Sequence, residues 1–403
     1  MSRPAVKLDP IIAALLRQRR DAGQLRHLRA VRPLDSTHIE IDGRPCINFC
    51  SNNYLGLNRH PRLLAAVEAA TRETGFGAGA AALISGHTQY HHAAEISLAA
   101  WKKTQSAILL PSGYQANHAA IQTFFAIGAR SGLPLRFLLD KLVHASIVDA
   151  VSGFDKRSVR IFPHNNLSKL ARLLRDSPHG AINVVITESI FSMNGDAADL
   201  RGLAELKKEF SFSLLLDEAH ASGVYGPNGS GYASELGLED CVDVGIVTLS
   251  KALGGMGGAI CASEQFCQAV LNFGRAFIYT TSLPPAAAAA AAAAIDILRA
   301  EPHRQHRLRE IRIRARRELA QAGVSILAGD SPIICAVVGS EAAALSAAEK
   351  LLQAGLLVAA VRPPTVAPAS SRLRITLSCD HTDEDIRRLI AAVATVHRSP
   401  IGA

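Results

Sequence analysis

Apolar and polar positions follow two rhythms along this 403-residue chain. Between about residues 105 and 260, short apolar runs recur at 107–110, 137–139, 159–162, 184–187, 214–216 and 246–249. Helix-length stretches separate most of them, at 113–127, 166–175 and 200–210. A short strand followed by a helix, repeated, predicts an α/β fold with a mostly parallel sheet covered by helices on both faces. Outside that block the rhythm changes. Residues 8–30 predict a helix with Ile11, Leu15, Leu16 and Leu25 at core positions. Residues 39–43 and 46–49 predict short strands, 51–57 a polar turn, and 61–74 a helix with Pro61 in its first turn. After Pro284-Pro285, an alanine tract and residues 295–322 predict one long helix or a broken pair. Strand, helix (341–354), strand (356–361), strand (372–378) and a helix beginning at Thr382 follow. The expected organisation is an N-terminal arm (1–58), a large domain (59–290), and a connecting helix with a smaller α+β domain (291–403).

Composition narrows the function classes. At 48% hydrophobic and 19% charged residues, the chain can bury a core, which excludes a mainly disordered protein. The seven cysteines lack paired CxxC spacing, so no zinc ribbon and no other metal site is expected. Their odd number suits free thiols in a reducing cytoplasm. The net charge of +8 is spread along the chain, and aromatics, at 5%, do not interleave with basic runs. That argues for solvated helix faces or an anionic-substrate site rather than nucleic acid. The alanine tract is too short to span a bilayer, and the Arg-rich first 30 residues read as an amphipathic leading helix.

The informative polar residues cluster where the predicted strands end, the usual place for ligands in such sheets. Asp217 follows the apolar run 214–216. It is either a helix-capping acid or a carboxylate held against a protonated ring nitrogen, since a buried acid needs a cation or strong donors. Lys251 follows 246–249 and precedes Gly254, Gly255, Gly257 and Gly258. It is either a surface lysine or an amine of lowered pKa suited to a Schiff base. With His220 nearby in sequence to Asp217, these residue types match what pyridoxal phosphate requires: a covalent anchor, a pyridinium partner and donors for the phenolic oxygen and phosphate. Ser112-Gly113-Tyr114 opens a helix after a strand, a ready anion site. His144 is either an ordinary packed histidine or a ring stacked on a cofactor.

Six segments, in this order, carry a family resemblance: 48–57 (NFCSNNYLGL), 191–196 (FSMNGD), 217–220 (DEAH), 248–251 (TLSK), 279–285 (YTTSLPP) and 362–366 (RPPTV). With them the chain resembles the α-oxoamine synthases, pyridoxal-phosphate enzymes of fold type I, from about residue 20 to 395. The last segment is most similar to the branch that makes 8-amino-7-oxononanoate in biotin biosynthesis. The resemblance implies an acyltransferase running a decarboxylative Claisen condensation of L-alanine with a pimeloyl thioester of coenzyme A or an acyl-carrier protein. It implies that Lys251 anchors the cofactor and moves the substrate's Cα proton, and that Asp217 pairs with the pyridine nitrogen. His220 would bond the phenolic oxygen, and His144 would stack on the ring and meet the substrate. Gly113, Tyr114, Ser192 and Thr248 would lie at the cofactor, with Thr248 on its phosphate. Arg374 would hold the amino acid's carboxylate, with Arg26 and Thr365 also at the substrate. Thr280 and Thr281 would reach the phosphate from a partner chain, which implies a homodimer. One departure stands out. Ala80-Ala81-Ala82 precedes Ser85-Gly86 where the family often carries hydroxyl or guanidinium groups. It leaves open a related synthase with another amino acid and acyl group, such as glycine and acetyl-CoA; a catalytically silent basic binding protein on the same fold is a separate alternative, against which Lys251, Asp217 and His220 argue.

Overall fold

A seven-stranded sheet forms the centre of the computed structural model, which describes residues 7–363 and 365–398. Its spatial order is Ser106–Leu110, Gly258–Ala262, Val244–Thr248, Ser213–Asp217, Ile182–Glu188, Leu135–Asp140, Val159–Phe162. All six predicted runs are strands, and the five from Val244–Thr248 outward pair in parallel. The seventh, Gly258–Ala262, went unpredicted because it follows directly on a glycine-rich turn. It runs antiparallel between Ser106–Leu110 and Val244–Thr248. A Cβ on Gly258 would lie 2.6 Å from the Gly113 nitrogen, so glycine is what lets this strand pass beneath a helix start.

The inner strands are buried on both faces, as a parallel sheet between helices requires, while the edge strand Val159–Phe162 leaves Ile161 exposed. Successive residues of Ser213–Asp217 face opposite ways. Leu215 joins Phe137, Ile186 and Ile246 in the layer under the helix Gly113–Ser131. Leu214 and Leu216 join Leu138 and Val185 under Leu167–Arg175 and Leu200–Glu209. Each such fully buried aliphatic side chain stabilises the fold by roughly 1.5–3 kcal/mol. Gly113–Ser131 outlasts its predicted end at 127 and stops at Gly132, whose φ of +70° is the left-handed cap glycine favours. The alanine tract resolves as the broken pair, Pro285–Ala300 and His303–Gln321, separated at Pro302. Proline has no backbone N–H to continue the first helix. Ala288, Ala290, Ala291 and Ala294 are buried, and small side chains there let neighbouring helices approach closely.

The N-terminal expectation needs correction. The helix is only Leu8–Asp21 and buries none of its residues. Ile11, Leu15 and Leu16 are exposed, and Leu25 lies half-buried past the helix end. The amphipathic spacing is real, but none of the described residues covers that face. The run 356–361 is also not one strand. Leu356–Leu357 pairs in parallel with Arg44–Asn48, whereas Ala359–Val361 pairs antiparallel with Ser371–Thr376, itself paired to Ile333–Gly339. The N-terminal arm therefore shares a sheet with the C-terminal segment. Thr376 N donates to Phe49 O at 2.8 Å and Cys379 N to Tyr54 O at 2.9 Å, continuing that seam. The last helix, Asp383–Arg398, begins as predicted. Thr382 N donates to Asp385 Oδ2 and Asp385 N to Thr382 Oγ1, a reciprocal cap. Among the described residues, no helix is long and apolar enough to cross a membrane.

Candidate active site

The parallel strands deliver their last residues to one edge of the sheet. Asp217, at the end of Ser213–Asp217, is 4% exposed. Asn117 Nδ2 donates to its Oδ2 at 2.8 Å and Ala219 N donates to its Oδ1 at 2.9 Å. Each oxygen keeps accepting capacity on a buried anion, which favours a cationic N–H partner. Asn117 Nδ2 also donates to Ser146 Oγ, which lies 2.9 Å from His144 Nδ1. His144 itself is exposed, at the N-terminus of Ala145–Val151, and burial of its surroundings lowers its pKa.

His220 is buried between two partners. Tyr54 OH lies 2.6 Å from its Nδ1 and Lys251 Nζ 3.0 Å from its Nε2. Burial pushes the Tyr54 hydroxyl up to about 12, so it keeps its proton. Burial, with Lys251 and Arg374 nearby, drives the His220 pKa well down, so the ring is neutral, with Nδ1 towards Tyr54 and Nε2 towards Lys251. Burial also lowers the Lys251 pKa, against the pull of Asp217 and Glu188, which moves this lysine towards its amine form. Glu188 lies directly opposite Asp217 on the adjacent strand. Burial and then the Asp217 charge raise its pKa to about 8, and among the described residues its Oε1 has no hydrogen-bond partner.

Beside this cluster the N-terminus of Gly113–Ser131 faces Thr248. Ser112 caps it by accepting from Gln115 N at 3.1 Å. A Cβ on Gly113 would sit 2.3 Å from Thr248 Oγ1, so glycine alone leaves the hydroxyl and the helix N–H groups room for an anion. Tyr114, in the same first turn, stacks on His118 at 4.7 Å, and its hydroxyl donates to Asp149 Oδ2. Thr280 Oγ1 accepts from the chain's own Gln115 Nε2 at 3.2 Å, and Thr281 is exposed next to it.

Arg374, on Ser371–Thr376, is buried and spends its donors on neutral oxygens: Nε on Ser192 O at 2.7 Å, Nη1 on Thr376 Oγ1 at 3.0 Å, Nη2 on Asn52 Oδ1 at 3.4 Å. Among the described residues no carboxylate bonds it. Arg374, Arg26 and Thr365, separate in sequence, line one cleft of about 370 Å³ with Arg19, Arg362 and Met193. Four guanidinium groups converging on one cleft suit an anionic ligand.

The residues fit pyridoxal phosphate. Asp217 is a buried carboxylate with a free accepting site, Lys251 is an amine-prone lysine beside His220, and the Gly113–Thr248 cradle is one that a single Cβ would fill. Asp217, His220, Lys251, Gly113 and Thr248 gather at one edge of the sheet, and Ser192 N donates to Oε2 of Glu188, the residue opposite Asp217, at 3.3 Å. Tyr54, Asn117 and Glu188 received no role from the sequence. Tyr54 stands in the segment 48–57, Asn117 shortly after the Ser112-Gly113-Tyr114 helix start and Glu188 just past the run 184–187, but only their contacts reveal what they do.

Comparison with known proteins agrees with this geometry. Residues 44–393 match the family model for aminotransferase class I and II. The chain is 41% identical over 374 residues to the 8-amino-7-oxononanoate synthase of Anaeromyxobacter dehalogenans, covering 93% of this chain and 92% of that one. Among solved structures it is similar to serine palmitoyltransferase of Sphingomonas wittichii (30% identity, TM-score 0.88, 98% of each chain). It is also similar to SPT with its PLP internal aldimine (28% identity, TM-score 0.87, 97% of each chain). With its sheet, its strand-end cluster and these matches in agreement, the chain belongs to the aminotransferase class I and II family.

Proposed function

We propose that this chain is a PLP-dependent acyltransferase that condenses L-alanine with a pimeloyl thioester and releases carbon dioxide, giving 8-amino-7-oxononanoate for biotin biosynthesis. The observation that carries the reading is the 41% identity to an 8-amino-7-oxononanoate synthase over 93% of the chain. When bound, the cofactor supplies an electron sink for charge developing at the amino acid's Cα. The protein's own groups do the rest. Asp217, aimed by Asn117 and Ala219 N, keeps a proton on the ring nitrogen. His220 turns Nε2 towards Lys251 while Tyr54 holds Nδ1. Lys251, as an amine, takes the Cα proton and holds it in the site. Arg374 binds the amino acid's carboxylate and fixes which Cα bond faces Lys251. Arg19, Arg26 and Arg362 form the approach for the anionic acyl donor, whose carrier is coenzyme A or an acyl-carrier protein.

The active species is a homodimer in this reading, with exposed Thr281 and neighbouring Thr280 turned to the partner's cofactor phosphate. Its seven free cysteines suit the cytoplasm. The likeness to serine palmitoyltransferase favours a second reading, a synthase of the same chemistry with another amino acid and a longer acyl group. Complementation of a biotin-requiring strain, beside a thiol-release assay over paired amino acids and acyl thioesters, separates the two. Failure to complement with turnover of serine and palmitoyl-CoA would remove the biotin assignment.

A further inference from the structure

His164 takes no part in the chemistry above, yet it joins two carboxylates from different segments. Its Nδ1 lies 3.0 Å from Asp140 Oδ1 and its Nε2 2.7 Å from Asp196 Oδ2. Asp140, 1% exposed, ends the strand Leu135–Asp140 and is fixed by Leu142 N at 2.8 Å and Asn165 N at 2.9 Å. Asp196 belongs to the loop 190–197, closed by the Ile190–Ala197 bridge and by Phe191 N donating to Asp196 O. The edge of the Phe191 ring meets His164 at 4.4 Å.

The far side of this loop holds the other half of the site. Ser192 O accepts from Arg374 Nε, and Met193 O and Asn194 Oδ1 accept from Arg372 Nη1. Cys335 Sγ donates to Met193 O and Ser331 Oγ to Gly195 O. The loop is thus a splint. Its base is tied to the large sheet by His164 and by Asn165 Nδ2 donating to Ala197 O, and its tip is tied to the strand that carries Arg374.

We propose that His164 is a positioning residue: the Asp140–His164–Asp196 bridge holds the 190–197 loop and, through the Ser192 carbonyl, sets Arg374 against the Asp217–Lys251 cluster. A neutral imidazole has one N–H and cannot donate to both acids, so the bridge requires the doubly protonated ring. The charged groups facing the ring are Asp140 and Asp196. Burial opposes the charge, but the hydrogen bonds to both carboxylates outweigh it and raise the pKa to about 9. The bridge is therefore intact at neutral pH and loosens as pH rises through about 9.

The proposal rests on the reading that Arg374 binds the amino acid's carboxylate, and the test keeps the two apart. Hydrogen exchange of residues 190–197 is measured in cofactor-free protein for wild type, His164→Gln and Asp196→Asn. Amino-acid and acyl-thioester KM are measured on the loaded enzyme from pH 7 to 9.5, with Arg374→Lys as control. Faster exchange confined to the loop is expected in both bridge variants. The amino-acid KM should rise roughly tenfold or more while the thioester KM holds, as displacement of a positioned group does. Wild type should lose loop protection as pH passes about 9, relative to flanking segments, and His164→Gln should not. Asp196→Asn leaves the buried Asp140–His164 contact in place, so it reports even if the histidine variant misfolds. Wild-type loop exchange and KM in both variants would overturn the proposal. An unchanged amino-acid KM in Arg374→Lys, with loop exchange still raised in the bridge variants, would overturn the Arg374 reading and leave the splint standing.

Discussion

Replacing Gly113 with alanine adds one carbon at the most crowded point of the anion cradle. That Cβ would lie 2.3 Å from Thr248 Oγ1 and 3.4 Å from Thr248 Cβ. The second distance is ordinary contact; the first is not, so the threonine hydroxyl must leave its position. The backbone cannot give way, because Val244–Thr248 is buried throughout and Gly258 packs against the Gly113 nitrogen. Overpacking of this kind costs about 1–3 kcal/mol. Here it falls on the hydroxyl that meets the phosphate, so PLP affinity should drop roughly tenfold to a hundredfold, at 1.4 kcal/mol per decade. Titration of cofactor-free protein with PLP, followed by absorbance, gives the affinity, and thermal unfolding of the same protein gives the strain. Gly113→Ala with Thr248→Ala removes the clash, so the double variant should recover unfolding temperature but not PLP affinity. Wild-type affinity and unfolding temperature in Gly113→Ala alone would refute the cradle.

Borohydride treatment of the PLP-loaded enzyme should fix the cofactor on the peptide containing Lys251, and label on any other lysine would reassign the anchor. Asp217→Asn removes the charge that keeps the ring nitrogen protonated; kcat should fall by about 10²–10³-fold, the scale of one preorganised electrostatic group, and near-normal turnover would contradict that role. Glu188 binds its proton more tightly folded, at about 8 against 4.5 unfolded, so its contribution to stability is full below pH 4.5 and is lost as pH rises to about 8. Glu188→Gln should flatten that decline in unfolding temperature of the cofactor-free protein; an unchanged slope would show another group responsible. Light scattering at assay concentration should find a dimer, and an active monomer would rule out shared sites.

The strand ends were legible in the chain because apolar runs such as Leu214-Leu215-Leu216 stop at a polar residue, here Asp217, although the run alone left a helix-capping acid as open as a cofactor partner. The small-residue strand Gly258–Ala262 was not legible, because Gly-Ala-Ile-Cys-Ala has neither length nor alternation to set it off from the turn before it. Leu15 and Leu16 misled for a different reason: periodicity reports that a face is apolar, not what covers it. Asn117, Tyr54 and His164 act through partners about 100, 166 and 24 residues away, and no local pattern encodes such pairings. Arg26, Thr365 and Arg374 were placed together by resemblance alone, and the cleft they line supplies the physical reason.

The pairing of Leu356–Leu357 with Arg44–Asn48 also dictates an order of assembly. The two strands lie roughly 300 residues apart, so the arm's sheet closes only once residues 356–357 are available to pair. Until then Ile39, Ile41 and Cys46 lack Leu352 and Leu357 to pack against. Tyr54 waits on the same event, because its carbonyl is gripped by Cys379 N. Without that seam the strand Arg44–Asn48 keeps one edge unpaired, a template for pairing with another chain, so closing the arm also removes an aggregation-prone edge.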